Sequence, residues 1–258
     1  MCILFIAVQQ HPTFPLIIAA NRDEFYKRPT HPSHFWSESP ELLAGKDLEA
    51  GGTWMGMTRF GDLSALTNIR APHLIKDDAK SRGSLVYDFL MDEEKKQQYV
   101  SYLHQSREEF NGYNLLFGKW NDLAVYNNHE DSLQYLHPGF YGLSNANLNS
   151  PWPKINKGVQ ALRNYCKTHD EMDDEQLFEL LRNEEKAKDH LLPVTGVPEQ
   201  WEKQLSSVFI NVEGYGTRSS TLLYINNEGE VHWHERSWDD QANHVEDRRF
   251  SFTLESKA

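Results

Sequence analysis

The sequence predicts an α+β domain with two stacked, mainly antiparallel sheets, and three observations lead there. Strand-like runs come first and last in the chain, with helical segments inserted between them as blocks. No βαβ alternation runs through it, which excludes a doubly wound parallel fold. Several runs are continuously apolar instead of alternating, the pattern of strands covered on both faces. Two sheets facing each other, each with its own helical layer, satisfy all three.

The elements follow in order. A first hairpin joins residues 2–8 to 15–20 through the turn-rich segment QQHPTFP. A second joins 53–59 (TWMGMTR) to 63–69 (LSALTNI) across FGD. The stretch SRGSLVYDFLMDE then sets Leu85, Val86, Phe89 and Leu90 on one helical stripe. Another hairpin pairs 113–117 with 122–126 around GKWN. Two amphipathic helices come next. One places Ile155, Val159, Leu162 and Cys166 at helical spacing after SPWPK, whose prolines suit a helix start. The other carries Leu177, Leu180 and Leu181 behind Asp173, with Gln176 as its capping-box partner. Strands return at 206–212, 219–225 and 230–236, the last two turning on NNEG, and a final strand is expected at 248–254.

Composition narrows the function classes. An apolar fraction of 39%, with 7 Trp, 11 Tyr and 13 Phe, is enough for a sizeable core. A formal charge of −12 speaks against a nucleic-acid binder and against docking on anionic membrane by charge. Cys2 and Cys166 make neither a disulfide framework nor a CxxC metal pattern. The N-terminal apolar run lacks a basic leader and ends at Gln9, too short to span a membrane. The expectation is a cytoplasmic protein with no stable membrane insertion. Neither a repeat nor a low-complexity linker divides the 258 residues.

Chemistry-bearing residues gather at strand ends. Initiator methionine is normally removed before a small residue, and Cys2 would then carry a free α-amine beside its thiol. With a reference pKa of about 7.7–8.0, that amine can serve as the thiol's base near neutral pH. The alternative is a small apolar residue opening a buried strand, and a retained Met1 would block the amine. Asn21, Arg22, Asp23 and Glu24 follow the apolar run at 16–20 with no loop residue between. Such a cluster is either a solvated turn or, beside the strand bearing Cys2, a holder of charge. Gly51 and Gly52 in AGGTWMG read as a turn. Ser144, Asn145 and Asn147 lie in a loop before a helix, as turn formers or oxyanion donors. Arg218 sits among hydroxyl residues in GYGTRSST, which suits a carboxylate or phosphate but also an ordinary edge strand. His232 and His234 share a strand face without a third metal ligand, so no metal site is expected.

Together these segments resemble one family. Met-Cys, AANRDEFYKRP, GGTWMG, ALTNIR, SRG, YNLLFG, YGLSNANLNSPWPK and YGTRSST, in this order, are similar to the transport and Golgi organisation 2 family, also called the NRDE family. The match spans nearly the whole chain and implies one domain over 1–258. It further implies a likeness to cysteine-type N-terminal-nucleophile hydrolases such as penicillin V acylase and bile salt hydrolase, with their four-layer αββα sandwich. Carried over residue by residue, Cys2 matches the nucleophile, Asn145 the oxyanion-hole Asn and Arg218 the supporting Arg. The acid holding the α-amine is Glu24 or Asp23. The hydrolases place an Arg and an Asp three positions apart, where this sequence has Asn21 and Glu24 with Arg22 between. Asn68 is a second oxyanion candidate.

The resemblance implies intracellular haem trafficking and binding of acyl-CoA or related lipids, with no hydrolase substrate attached. One expectation is therefore delivery of an amphipathic ligand held by Asn21, Arg22, Asp23, Glu24, Asn68, Arg70, Asn145 and Arg218. No resident cofactor is required, haem being cargo passed between donor and acceptor proteins. The alternative is an amidohydrolase acting on linear amides through Cys2, Glu24, Asn145 and Arg218.

Overall fold

The structure, a computed structural model, describes residues 2–256 and all their side chains except that of Lys95. Among those residues two seven-stranded antiparallel sheets face each other. The first runs in the spatial order β10 (Gly139–Leu143), β1 (Cys2–Val8), β2 (Leu16–Phe25), β12 (Tyr215–Ile225), β13 (Glu230–Trp238) and β14 (His244–Thr253), with β11 (Asn211–Val212) pairing with β12. The second follows chain order: β3 (Thr30–Trp36), β4 (Ser39–Asp47), β5 (Met55–Thr58), β6 (Asp62–Asn68), β7 (Tyr113–Lys119), β8 (Asp122–Asn127) and β9 (Ser132–Tyr135).

Side-chain alternation explains the continuous apolar runs. In β1 and β2, Leu4, Ile6, Leu16, Ile18 and Ala20 pack between the sheets against Leu43, Met55, Met57, Leu63 and Ala65. Their neighbours Ile3, Phe5, Ala7, Ile17 and Ala19 face the other way, onto α4 (Pro153–Thr168) and α5 (Asp174–Leu181). Each fully buried Leu, Ile or Phe contributes about 1.5–3 kcal/mol. The outer face of the second sheet is covered by α1 (Gly83–Met91) and α3 (Tyr99–Ser106), joined by the short α2 (Glu93–Gln97). The expected four-layer sandwich is found.

Local chemistry fixes the helices. Asp173 caps α5 by accepting from the backbone N–H of Glu175 at 3.0 Å and of Gln176 at 3.3 Å. Gln176 reaches back to the Asp173 side chain instead of its backbone. Pro153 opens α4, and Gly158 lets the helix close on Phe5, whose ring would lie 2.0 Å from a Cβ there.

Some elements differ from expectation. Of 206–212 only Asn211–Val212 is strand. The buried segment before it is satisfied bond by bond: the Phe209 N–H donates to Asn183 O, and the Ile210 N–H to Thr217 Oγ1. The strand expected at 219–225 begins at Tyr215, and that expected at 15–20 runs on to Phe25. The polar cluster therefore lies inside a strand and not at its end. β3, β4, β9 and β10 carry Pro, His, Gly and charges that mimic loops, and α3 and the short α6 (Glu199–Gln204) were likewise not expected.

Candidate functional site

Strand register assembles the floor of a cleft. Cys2 pairs with Arg22, and Arg22 pairs with Ser219 across β2 and β12. Because alternate residues share a face, these three side chains point between the sheets in one row. Burial pushes the Cys2 thiol up, Asp23 adds to this, and Arg22 opposes it. Arg22 is only 5% exposed, and its guanidinium lies 4.1 Å from the Trp54 ring. It makes no hydrogen bond among the described residues, and its enclosed Nη1 is unpartnered, as is the buried Ser219 Oγ.

Asn21 and Asp23 take the opposite face. Asn21 donates to the carbonyls of Leu181 at 2.8 Å and Val208 at 3.1 Å, and accepts from Ser220 Oγ at 2.6 Å. It ties β2 to the helical layer and does not reach the cleft. Asp23 accepts from Thr217 Oγ1 at 2.8 Å, and burial raises its carboxyl while Lys154 opposes the shift. Glu24 returns to the cleft side and accepts from the Phe25 N–H at 2.9 Å.

The structure divides the remaining candidates. Asn68 lines the cleft, and its amide makes no hydrogen bond among the described residues. Asn145 is committed behind the cleft: its Nδ2 donates to Asn68 O at 2.9 Å, and its Oδ1 accepts from Ser144 Oγ, Lys154 Nζ and Arg70 Nη2. Ser144 also donates to Cys2 O at 3.1 Å, so the loop expected before α4 does abut the N-terminal strand. Arg70 is buried against Glu202 of α6, Nη1 to Oε2 2.5 Å, and lines no chamber. Arg218 does not join the others. It is the extra residue of a β-bulge, and its Nη1 donates to the carbonyls of Phe25, Tyr26 and Arg28 at 3.0–3.2 Å, which fixes the turn after β2.

Two contiguous chambers open above Cys2. The charged one holds about 360 Å³ and is walled by Arg22, Glu24, Trp54, Asn68 and Arg82. The N-terminus of α1 at Gly83 opens into it. The second, of about 550 Å³, shares Glu24, Arg28, Asn68 and Arg82, then runs along Phe25, Val197, Pro198, Trp201 and Leu205. Arg28 is taken by Asp47 at 2.8 Å and Glu49 at 3.2 Å. Arg82 donates to Gly112 O at 3.1 Å, and burial lowers its pKa against the pull of Glu24 and Cys2. No histidine is among the described residues lining either chamber. His234 instead meets Asp174 on the helical side, Nδ1 to Oδ2 2.7 Å. Among the described residues no group of three or more His, Cys, Asp or Glu could hold a metal ion.

Residues 1–240 match the transport and Golgi organisation 2 family. The chain belongs to that family. It is 34% identical over 281 residues to the human transport and Golgi organization protein 2 homolog, covering 99% of this chain and 100% of that one. It is 28% identical to the Drosophila melanogaster protein of the same name over 92% of each. Among solved structures, a mutant conjugated bile acid hydrolase from Clostridium perfringens superposes over 100% of this chain and 99% of its own, with a TM-score of 0.50 and 9% identity. That likeness shows the N-terminal-nucleophile hydrolase fold and no more. No helix among the described residues is long and apolar enough to cross a membrane.

Four residues of this family member's site escaped the reading of its sequence: Trp54, Arg82, Lys154 and Trp201. The first three stand inside GGTWMG, SRG and SPWPK, so the motif list held the signal. Trp201 lies in a polar stretch with no pattern to mark it. Whether Met1 is removed to free the Cys2 amine lies outside the described residues.

Proposed function

We propose that this member of the family binds and delivers an amphipathic ligand, its anionic end against Arg22 and its apolar body along Phe25 and Trp201. The carrying observation is the continuity of the two chambers: one ends at a buried guanidinium without a hydrogen bond among the described residues, the other at exposed apolar side chains. Phe25 is 61% and Trp201 41% exposed, a burial deficit that a ligand would make good. A guanidinium fork matches a carboxylate or phosphate. An acyl compound, such as an acyl-CoA or a related lipid, fits better than haem, because among the described residues the lining offers a haem iron no histidine or methionine and only the thiol of Cys2. The test is titration of the purified protein with a long-chain acyl-CoA and with haemin. Saturable acyl binding weakened by Trp201→Ala is expected. Absence of saturable binding of either compound would refute the reading.

One observation favours a second reading, hydrolysis of a linear amide. Cys2 begins a strand on the cleft floor, with the unengaged amide of Asn68 in the same wall. After loss of Met1, the Cys2 thiol would add to the carbonyl as its proton passes to the α-amine. The Asn68 amide would hold the oxyanion, and the amine leaving group would take the proton back, leaving an acyl-enzyme for water to cleave. Asn145 would position Asn68 and not contact the substrate. Intact mass after exposure to an acylating probe decides between the two: a Cys2-dependent adduct that turns over, together with a mature chain lacking Met1, favours the hydrolase.

A further inference from the structure

Lys154 is the residue of this site whose position is hardest to explain by folding alone. It sits in the first turn of α4, where a lysine ordinarily reaches solvent, yet it is only 3% exposed. Its Nζ donates to an amide oxygen, Asn145 Oδ1, at 3.3 Å and to a carbonyl, Leu205 O, at 3.2 Å. No carboxylate lies within hydrogen-bonding reach among the described residues. Removing an ammonium from water onto neutral acceptors is costly, so a group held this way is a functional-site candidate.

Charged groups surround it from three elements and the segment after β6. Arg70 follows β6, Asp23 comes from β2, Glu202 from α6 and Cys2 from β1. Burial and then Arg70 lower the Lys154 pKa, to about 7, against the opposite pull of Asp23, Glu202 and Cys2. Its two acceptors are informative. Asn145 holds the Asn68 carbonyl, and Leu205 closes α6, whose Trp201 walls the apolar chamber. One amine thus touches the supports of both chambers.

We propose that Lys154 is a positioning residue for the Cys2 site, fixing Asn145 and Leu205 behind the chambers and tuning the Cys2 thiol through its charge. This rests on the reading of Cys2 as the floor of the site, but not on which ligand enters. Because Cys2 stabilises the ammonium, the ammonium stabilises the Cys2 thiolate in return. As pH rises through neutrality Lys154 loses its charge, and thiolate formation proceeds without that help.

Alkylation of Cys2 by iodoacetamide, followed from pH 5.5 to 9 by peptide mapping that separates Cys2 from Cys166, tests this. A thiol titrating alone gives a tenfold rate increase per pH unit well below its pKa. The wild-type profile is expected to flatten between about pH 6 and 8. Lys154→Met should restore unit slope and react at least threefold more slowly than wild type at pH 6, while matching it at pH 9. Lys154→Arg should restore unit slope without the loss at pH 6. A purely structural role would shift the rate equally at every pH. Unit slope in the wild type overturns the proposal, and so does flattening that neither substitution reduces. Should Lys154→Met not fold, the wild type and Lys154→Arg decide it. The measurement needs no ligand, so its outcome is independent of the ligand titrations.

Discussion

Arg22→Met separates ligand recognition from folding. The Arg22 side chain gives no hydrogen bond among the described residues, and its definite contact is the Trp54 ring at 4.1 Å. Such a contact contributes about 0.5–2 kcal/mol. Against this stands the cost of keeping a guanidinium 95% enclosed, which the substitution removes. Glu235, whose burial raises its pKa and which Arg22 holds down, keeps two donors from Ser33 at 2.7 and 2.8 Å. The net change in stability should therefore stay within about 2 kcal/mol, or roughly 8 °C in Tm for a chain this size. Charge-assisted hydrogen bonds to a ligand anion contribute about 1.5–3 kcal/mol, so the Kd should rise about 10- to 160-fold. The assay is a fluorescence titration with a long-chain carboxylic acid probe and with the alcohol of the same chain. Only the acid should weaken. Unchanged acid binding, or equal losses for acid and alcohol, would refute the assignment of Arg22 to the anionic end.

Three further outcomes follow from named contacts. Arg70→Met leaves the 4%-exposed carboxylate of Glu202 with Thr195 as its donor, and should destabilise by about 3–5 kcal/mol in urea unfolding. Most of that loss should return in the double variant with Glu202→Gln. Gly158→Ala puts a methyl group into the Phe5 ring and should cost about 1–3 kcal/mol by overpacking, with ligand affinity unchanged. Stability should also depend on Lys154 through pH. Its folded pKa, about 7, lies below the ordinary lysine value of 10.5, so between those values the unfolded chain binds more protons. The contribution of Lys154 to stability therefore rises with pH, by up to about 1.4 kcal/mol per unit. The urea midpoint of the wild type should gain on that of Lys154→Met from pH 7 to pH 9.5, and a constant difference would show that Lys154 stays charged.

The layers were legible because burial on both faces leaves a mark: Ile3 to Ala7 and Leu16 to Ala20 admit no polar residue, whichever way they point. The same rule hid the site. Past Ala20 the strand continues with alternation intact, but both faces are lined by polar partners, and Asn21 to Glu24 read as a strand's end because hydropathy was the only ruler. Arg218 misled for a related reason. Its neighbours in sequence suggested a ligand, while its true partners are three carbonyls in a turn nearly 200 residues earlier. Lys154 and Glu202 were invisible because partners outside their own helices, Asn145 and Leu205 for one and Arg70 and Thr195 for the other, surround them, and no local pattern records that.

What the register adds is a division of labour within four consecutive residues. Asn21 and the Oδ1 atom of Asp23 hold β2 to the loop at 208 and to β12. Arg22 and Glu24 look toward the cleft, and the Arg22 guanidinium makes no hydrogen bond among the described residues. A single-residue slip of β2 would exchange the faces of the two pairs and take Arg22 out of the row it forms with Cys2 and Ser219. The bulge at Arg218 lies where that register is set, between the pairs Thr217–Asp23 and Ser219–Arg22. Arg218 therefore acts on the site without entering it: as the bulge residue that also anchors the turn beyond Phe25, it sets Arg22 opposite Ser219.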